Sequence, residues 1–362
     1  MMANLFYKNL VRCFIIVFSF SAVGQNKATK EIKSTHEFFS NGTLSLENKY
    51  GNVFIYGWDK ESIDITVSIE TQRKTQDDAK ELLNRITSNI TATNKQVIIR
   101  SEIEKKGKGF LNKYLSKIDP FKNDKTSTSI NYTIYLPKSA AIEINNKYGD
   151  LIITDWDGKL DANVEHGDIR TIESISNSSI SIKYGKLKAR TLVQSKIESK
   201  DATINIDTSE NLKINSVGSE IELDKIEQLE LHSNKDNIEI NTLNNGFGTI
   251  KYATVVINNL TKANLELYLA ELRILNLATH TPSLNINQEI SDVYINITNT
   301  NFDFSAQLEQ GVLRIPKTMK NINSSMIDNK NKIRNIIATY GDGQKGTFVF
   351  TGLKGIIILK EL

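Results

Sequence analysis

Residues Asn146-Lys147-Tyr148-Gly149-Asp150-Leu151-Ile152-Ile153 match the earlier stretch Asn48-Lys49-Tyr50-Gly51-Asn52-Val53-Phe54-Ile55 at five of eight positions, and the other three changes are between similar residues. A Trp-Asp pair follows each copy, at Trp58-Asp59 and at Trp156-Asp157. A turn residue followed by apolar residues at every second position is typical of a β-strand with one buried face. The chain is therefore expected to contain repeated β-strand units.

The pattern continues in weaker form after the second copy. The small or turn residue that marks each repeat stands at 149, 167, 185, 202, 218, 236, 253 and 270, a spacing of 16 to 18 residues. One such repeat cannot bury its apolar face alone, so neighbouring repeats must stack. We expect an all-β fold in which residues 139–300 form a single-stranded β-helix, or β-solenoid, with rungs of about 17 residues. A twisted meander or sandwich is the alternative.

The flanking segments differ from the repeats. Residues 25–138 are predicted to form an N-terminal β segment with an inserted helix over 75–91, because Thr75 and Asp78 can cap the free amides of a first turn. An apolar stripe at helical spacing follows, made of Ala79, Leu82, Leu83, Ile86 and Ile90. Residues 301–362 are expected to form a C-terminal cap, since the last unit of a stacked fold must shield an open end.

The first 24 residues are typical of a secretory signal peptide. Lys8 and Arg12 provide the positive flank of an apolar stretch, and Ala22-Val23-Gly24 provides the small residues of a cleavage site. The apolar stretch is shorter than the ~20 residues that span a bilayer. We expect export to the periplasm or to the cell surface and beyond. Cys13, the single cysteine of the chain, lies in this segment, so the mature protein has no disulfide.

The charge balance excludes one class of partner. The formal net charge is +3, from 45 Lys and Arg against 42 Asp and Glu. The predicted signal removes two basic residues and no acidic one, which leaves the mature chain nearly neutral. Proteins that bind nucleic acid obtain much of their affinity from a strongly basic face. Nucleic acid is therefore not an expected partner.

The chain resembles the bacterial putative-adhesin family of β-strand-repeat domains of unknown function, which is common in exported proteins of Bacteroidota. Three features carry the resemblance: the Tyr-Gly-Asp/Asn and Gly-Trp-Asp elements at 50–59 and 148–157, the helix at 75–91, and Tyr132-Thr133-Ile134-Tyr135-Leu136-Pro137-Lys138 before the repeats. The resemblance covers most of the mature chain and implies an exported β-repeat fold without implying a catalytic residue. From residue 201 onward the chain departs from it, as Tyr-Gly weakens to Asp-Ala, Tyr-Ala and Leu-Ala.

Acidic residues and histidines are the candidates for chemistry. The densest acidic cluster is Asp150, Asp155, Asp157, Asp161 and Asp168. It supplies only a fragment of a calcium loop, so turn capping is its expected role. The four histidines, His36, His166, His232 and His280, lack the spacing of a helical metal site. His166 replaces the tyrosine before Gly167, which favours a turn role. No catalytic residue, cofactor or metal site is predicted.

A candidate interaction surface lies in the lysine-rich loop expected over 104–129. Phe110, Leu111, Tyr114, Leu115 and Ile118 fall on one face of a short helix, beside Lys113 and Lys117. We select Phe110, Lys113, Tyr114 and Lys117 for contact with a partner or, peripherally, with a membrane; folding back on its own sheet is the alternative. Trp58 and Trp156 can stack on sugar rings, but their equivalent placement in two repeats favours packing.

These observations give three hypotheses of function. The first is an exported, non-enzymatic β-repeat scaffold or adhesion module of the bacterial cell envelope that binds a protein or a glycan. The second is a polysaccharide-degrading β-helix enzyme that uses acids such as Asp157 and Asp168, since two carboxylates ~5 to 9 Å apart suit glycoside hydrolysis. The third is a periplasmic structural or sensor component of an envelope-stress system.

Overall fold

The structure, a computed structural model, describes residues 26–104, 128–342 and 345–362. These residues form 25 β-strands and one short α-helix, and the strands join in one hydrogen-bonded sheet. The predicted all-β class is therefore confirmed. No helix in the described residues has the length and apolar character that a membrane span needs. The predicted signal peptide lies outside the described residues.

The N-terminal part is mainly antiparallel. Its elements are β1 (Asn26–Glu37), β2 (Thr43–Lys49), β3 (Val53–Trp58), β4 (Ser62–Arg73), α1 (Gln76–Asn84), β5 (Ile86–Ala92), β6 (Gln96–Ile103) and β7 (Thr128–Pro137). β4 lies between β1 and β7 and is antiparallel to both. β5 and β6 form a second antiparallel pair. Ala79, Leu82 and Leu83 of α1 are buried, so the helix covers one side of these strands.

The prediction of a helix over 75–91 is wrong in its second half. Thr75 caps the helix as expected: its hydroxyl accepts a hydrogen bond from the backbone amide of Asp78 at 3.1 Å. The helix ends at Asn84, and Ile86–Ala92 forms β5 instead. A spacing of four between two isoleucines fits a strand as well as a helix. The β-branched isoleucines and threonines of this stretch favour the strand.

The central strands stack in parallel. They are β8 (Ala141–Lys147), β9 (Leu151–Thr154), β10 (Lys159–Glu165), β11 (Ile169–Lys183), β12 (Lys186–Lys200), β13 (Thr203–Val217), β14 (Glu220–Asn234), β15 (Asn237–Lys251), β16 (Thr254–Tyr268), β17 (Glu271–Leu277), β18 (Ser283–Glu289) and β19 (Asp292–Asn296). Ile204 pairs with Ile221, Ile221 with Ile238, and Ile238 with Val255. Paired residues here are thus 17 apart in sequence, which matches the period of the repeats.

A continuous hydrophobic core follows these strands. In β13 the buried side chains include Ile204, Ile206, Leu212 and Ile214, and the residues between them, apart from the buried Ser209, are partly or fully exposed. The residues 17 positions later, Ile221, Leu223, Leu229 and Leu231, are buried in the same way. Each strand therefore buries the apolar side chains of its neighbours, which is how a chain without disulfides can stabilise stacked strands.

The strands meet at corners where one residue adopts left-handed backbone angles. Tyr50, Tyr148, His166 and Tyr184 have φ values of 66°, 59°, 56° and 56°. Their rings stack in one column, with centroids 5.3, 5.0 and 4.8 Å apart in that order. His166 occupies a tyrosine position in this column, so the turn role predicted for it is confirmed.

The glycine after each of these residues allows the corners to approach closely. A Cβ atom on Gly149 would lie 2.0 Å from the carbonyl oxygen of Gly51, and one on Gly167 would lie 1.9 Å from that of Gly149. Gly185 is equally close to the carbonyl oxygen of Gly167. No side chain fits at these distances. The Tyr-Gly motif therefore combines a stacked ring with a close backbone contact between neighbouring strands.

The acidic or amide residue that follows each glycine links the corners through hydrogen bonds. Asn52 Oδ1 accepts from the backbone amide of Asp150 at 2.9 Å, and Asp150 Oδ1 accepts from the amide of Asp168 at 2.9 Å. Asp168 Oδ1 then accepts from the amide of Lys186 at 2.8 Å. The interpretation of Asp150 and Asp168 as turn-capping residues is confirmed.

Later corners keep the backbone bend but use other side chains. Positive φ angles recur at Asp201, Gly218, Lys235, Tyr252 and Leu269. The next residue in the chain is small or polar and buried: Ala202, Ser219, Asp236, Ala253 and Ala270. The Asp236 carboxylate accepts from the Ser219 amide at 2.7 Å, from the Ser233 hydroxyl at 2.6 Å and from the Ser216 hydroxyl. A buried charge is thus satisfied by several donors.

The last strands of the chain insert between earlier ones. They are β20 (Phe302–Glu309), β21 (Val312–Arg314), β22 (Lys320–Asp328), β23 (Ile333–Tyr340), β24 (Gly346–Leu353) and β25 (Ile356–Lys360). β24 lies between β18 and β20, and β25 lies between β19 and β21, all in parallel. β23 pairs antiparallel with both β20 and β22. At the opposite end, β2 lies between β6 and β8, and β3 between β7 and β9.

Candidate binding groove

One outward face of the sheet carries a groove of about 660 Å³. It crosses the second halves of β15 and β16 and then β18, β24 and β20. Two columns of side chains line it, and their members pair across adjacent strands. The first column is Thr249, Glu266, Asn287, Thr351 and Gln307. The second column is Lys251, Tyr268, Glu289, Leu353 and Glu309.

Two tyrosines form the aromatic part of the groove. Tyr252 stands at a corner and is 50% exposed, and Tyr268 ends β16. Their rings meet edge to face, with centroids 5.4 Å apart and planes at 86°. The hydrogen bond and the electrostatic interaction with the Tyr252 phenol raise the pKa of Tyr268, and burial and the Glu289 carboxylate add to the effect. The Tyr268 phenol therefore stays neutral at physiological pH. Ile333 of β23 lines the groove as well.

The floor of the groove is held by internal hydrogen bonds. Gln288 is 2% exposed, and its Oε1 accepts from the Ser291 amide at 2.9 Å while its Nε2 donates to the Lys354 carbonyl. The Thr351 hydroxyl donates to Asn287 Oδ1 at 2.8 Å. Because these contacts fix the side chains before any ligand arrives, binding there requires little further ordering.

Negative charge is in excess in the groove. Its lining residues include three carboxylates, Glu266, Glu289 and Glu309, and one cation, Lys251. None of the three carboxylates takes part in an ion pair with another residue of 26–104, 128–342 or 345–362. The groove thus offers acceptors whose charge is not neutralised locally.

A second groove of about 490 Å³ continues the first one toward β11 and shares Thr249 and Lys251 with it. Its lining includes His232 and three lysines, Lys183, Lys200 and Lys251, against one carboxylate, Glu198. Beside the lining, Lys213 Nζ lies 2.6 Å from Glu230 Oε1, and His232 Nε2 lies 3.0 Å from the same oxygen. The hydrogen bonds from Lys213 and His232 lower the pKa of Glu230. We call the two grooves together the polar strip.

The two tryptophans occupy equivalent positions in the sequence repeats but differ in burial. Trp156 is 1% exposed, and its indole donates to the Ala140 carbonyl at 2.9 Å, which confirms a packing role. Trp58 is only half-buried and lies beside Tyr135, with ring centroids 5.6 Å apart. Lys60 Nζ stands 4.4 Å from its ring centroid. The two residues therefore differ in burial, although the Trp58 indole also donates to a backbone carbonyl, that of Ser62, at 2.9 Å.

The acidic cluster is not gathered into a cleft. Asp150 and Asp168 cap corners, and neither groove of the polar strip is lined by residues of the cluster. Within the described ranges, no group of three or more His, Cys, Asp or Glu side chains is arranged to hold a metal ion. The candidate surface Phe110, Lys113, Tyr114 and Lys117 lies outside the described residues.

Comparison with known proteins gives distant similarities. No family model matches the chain, and no curated protein matches it. It is similar to a putative cell adhesion protein from Clostridium sporogenes (12% identity, 92% of this chain and 100% of that one, TM-score 0.19) and a putative adhesin from Bacteroides fragilis (11%, 91% and 97%, 0.24). It is also similar to a putative lipid binding protein from Parabacteroides distasonis (14%, 72% and 96%, 0.26).

The sequence alone did not reveal the groove. Its floor needs β16, β18, β24 and β20 side by side, and β24 lies far from β18 in the chain. One signal was present: the residue directly before each corner is Lys200, Val217, Asn234 and Lys251, and then Tyr268. The tyrosine at this position marks the place where the outward face begins to carry an aromatic side chain.

Proposed function

We propose that the protein is an exported, non-enzymatic interaction module of the bacterial cell envelope, and that it holds an extended protein or glycan along the polar strip. The observation that supports this proposal is the strip itself, a continuous outward surface that crosses strands from β11 to β20. We further propose that the stacked strands form a β-solenoid over residues 139–300, flanked by the segments 25–138 and 301–362. The 17-residue offset between parallel strands supports that architecture.

A binding role suits the chemistry of the strip better than catalysis does. A general acid needs a carboxyl group whose pKa is raised by burial or by a like charge. Among the residues that the structure describes, the carboxyl groups with a shifted pKa are Glu165, Glu230, Asp328 and Glu361, and all four shift downward because of hydrogen bonds. The sheet also presents a rigid, regular surface, which favours recognition of an extended partner.

Binding to envelope material tests this proposal. The purified protein should bind isolated cell-envelope fractions saturably. A double variant that inverts charge in the strip, Glu266→Lys with Glu289→Lys, should bind less than one tenth as much. Glu222→Lys with Glu239→Lys, two exposed substitutions away from the strip, is the matched control and should bind normally. Absence of saturable binding, or equal loss in both variants, would refute the proposal.

The loop surface Phe110, Lys113, Tyr114 and Lys117 is proposed as a second contact, with a protein or peripherally with a membrane. Deletion of residues 105–128 would then lower binding to envelope fractions while the strip variants keep their separate effect. Protease treatment of intact cells separates two locations. A protein displayed at the surface is cleaved, and a periplasmic one is protected.

A further inference from the structure

We propose that the groove lined by Tyr252, Tyr268 and the two side-chain columns binds a linear polysaccharide that carries no acidic groups. In this complex Tyr268 stacks on a sugar ring, and the amide, hydroxyl and carboxylate groups of the columns bond to sugar hydroxyls. The inference rests on the proposed function and specifies the ligand of the polar strip. The polar side chains of the two columns and an aromatic ring lie on one exposed face. Together they offer a sugar polymer hydrogen-bond partners and a surface on which a sugar ring stacks.

The polar groups of the groove match the donors and acceptors of a sugar. A hydroxyl both donates and accepts, and so do the amides of Asn287 and Gln307 and the hydroxyls of Thr249 and Thr351. The carboxylates add acceptors that are not neutralised by an ion pair among the described residues. The edge-to-face tyrosine pair exposes aromatic surface for the C–H face of a ring.

An extended peptide fits this groove less well. Peptides that lie on sheets usually add as a further strand at an open edge. The strands of the groove floor have no such edge, because β18 pairs with β16 and β24, and β24 pairs with β18 and β20. A helical peptide would need an apolar groove for its buried face. The lining here is mostly polar, with Leu353 and Ile333 as minor apolar contributions.

The spacing of the columns favours a linear polymer. Adjacent strands lie ~4.8 Å apart, so the five strands of the groove present equivalent side chains along roughly 19 Å. A chain of several sugar units laid across the strands would meet a further pair of side chains at each strand, and both members are polar or aromatic except at β24, where Leu353 pairs with Thr351. A single monosaccharide would use only one end of the groove.

The charge of the groove selects among polysaccharides. Three carboxylates against one lysine repel uronic acids and sulfated sugars, and this repulsion is strongest at low ionic strength. Neutral sugars avoid the repulsion, and sugars with free amino groups gain attraction. Acidic polymers are therefore excluded from the groove.

Calorimetric titration with three oligosaccharides of equal length tests the inference. The probes are a neutral gluco-oligosaccharide, a chitosan oligosaccharide with free amines, and an oligogalacturonate. At least one of the first two should bind, and the oligogalacturonate should bind at least about tenfold more weakly at low salt. Tyr268→Ala should weaken binding about tenfold, and Tyr268→Phe should retain most of it. Tyr135→Ala, which changes an exposed tyrosine far from the groove, should have no effect.

The outcomes separate this inference from the broader proposal. If neither non-acidic probe binds while the protein still binds envelope fractions, the saccharide inference is wrong and the proposed function stands. Equal weakening by Tyr135→Ala and Tyr268→Ala, or oligogalacturonate binding as tight as that of the other probes, also overturns the inference. Release of reducing ends from a bound probe would support the groove as the sugar site and overturn the non-enzymatic role instead.

Discussion

The carboxylate of Asp150 accepts a hydrogen bond from the backbone amide of Asp168, 2.9 Å away at the neighbouring corner. The same contact joins Asn52 to Asp150 one step earlier and Asp168 to Lys186 one step later. At these three corners a short polar side chain thus accepts a hydrogen bond from the backbone of the next corner. The repeated motif in the sequence encodes this ladder together with the stacked rings and the close glycines.

Removal of one acceptor from the ladder should weaken it measurably. We expect Asp150→Ala to lower the free energy of unfolding by about 1–2 kcal/mol, because the Asp168 amide loses a charged acceptor. Asp150→Asn should cost much less, since Asn52 makes the same contact one corner earlier. Urea denaturation measures both variants, with Asp161→Ala, an exposed residue nearby, as the control. An Asn variant as unstable as the Ala variant would contradict this role.

The glycine column should tolerate no side chain. In Gly167→Ala the new Cβ atom would lie 1.9 Å from the Gly149 carbonyl oxygen, so neighbouring corners must separate. We expect a loss of about 2–4 kcal/mol in unfolding free energy, in the range of other backbone strain. Ala202→Gly, at the equivalent place of a later corner where alanine is accommodated, should cost only about 1 kcal/mol. Thermal melts compare the two, and a Gly167→Ala variant with normal stability would disprove the close contact.

His166 should be replaceable by the residue that its neighbours use. Its ring lies between those of Tyr148 and Tyr184, so His166→Tyr should preserve the stack and change stability by less than about 0.5 kcal/mol. His166→Ala should cost about 0.5–1.5 kcal/mol, the usual value of an aromatic pair. Denaturation of both variants at pH 7.5 decides the matter. Equal stability of the two would show that the stacked ring contributes nothing.

Alkaline pH should destabilise the C-terminal strands through Tyr340. Burial and the hydrogen bond that Tyr340 donates to Glu361 at 2.7 Å raise its pKa from 10.0 to about 12. Since the folded value is the higher one, this stabilisation is complete below pH 10 and is lost as the pH rises through about 12. Tyr340→Phe should flatten the stability profile between these values. Ultraviolet titration of the wild type checks the pKa, and ionisation near pH 10 would contradict it.

Local rules explain which parts of the fold the sequence predicted. The small or turn residues that mark the repeats in the sequence fall at the corners or one residue after them. They could be predicted because the bend, the small residue and the alternation of apolar side chains all depend on residues within one repeat. The end of α1 was missed because Ile86 and Ile90, which follow the helix and lie in β5, fit both periodicities. The groove was missed for a different reason: Tyr268 becomes part of it only when β24 lies beside β18, and no local pattern encodes a pairing between strands so distant in sequence.

Residues 346–360 insert between strands that precede them in the chain. This insertion also sets the order in which the strands can pair during folding. As the chain is synthesised from its N-terminus, the early strands can stack as they emerge, but β18 and β20 must wait for β24 to join them. Such late, non-local pairing slows folding and leaves strand edges open to other chains in the meantime. Proteolytic removal of residues 346–360 would therefore do more than shorten the chain. It would separate β18 from β20 and leave each of them with an unpaired edge that can bind a strand of another chain.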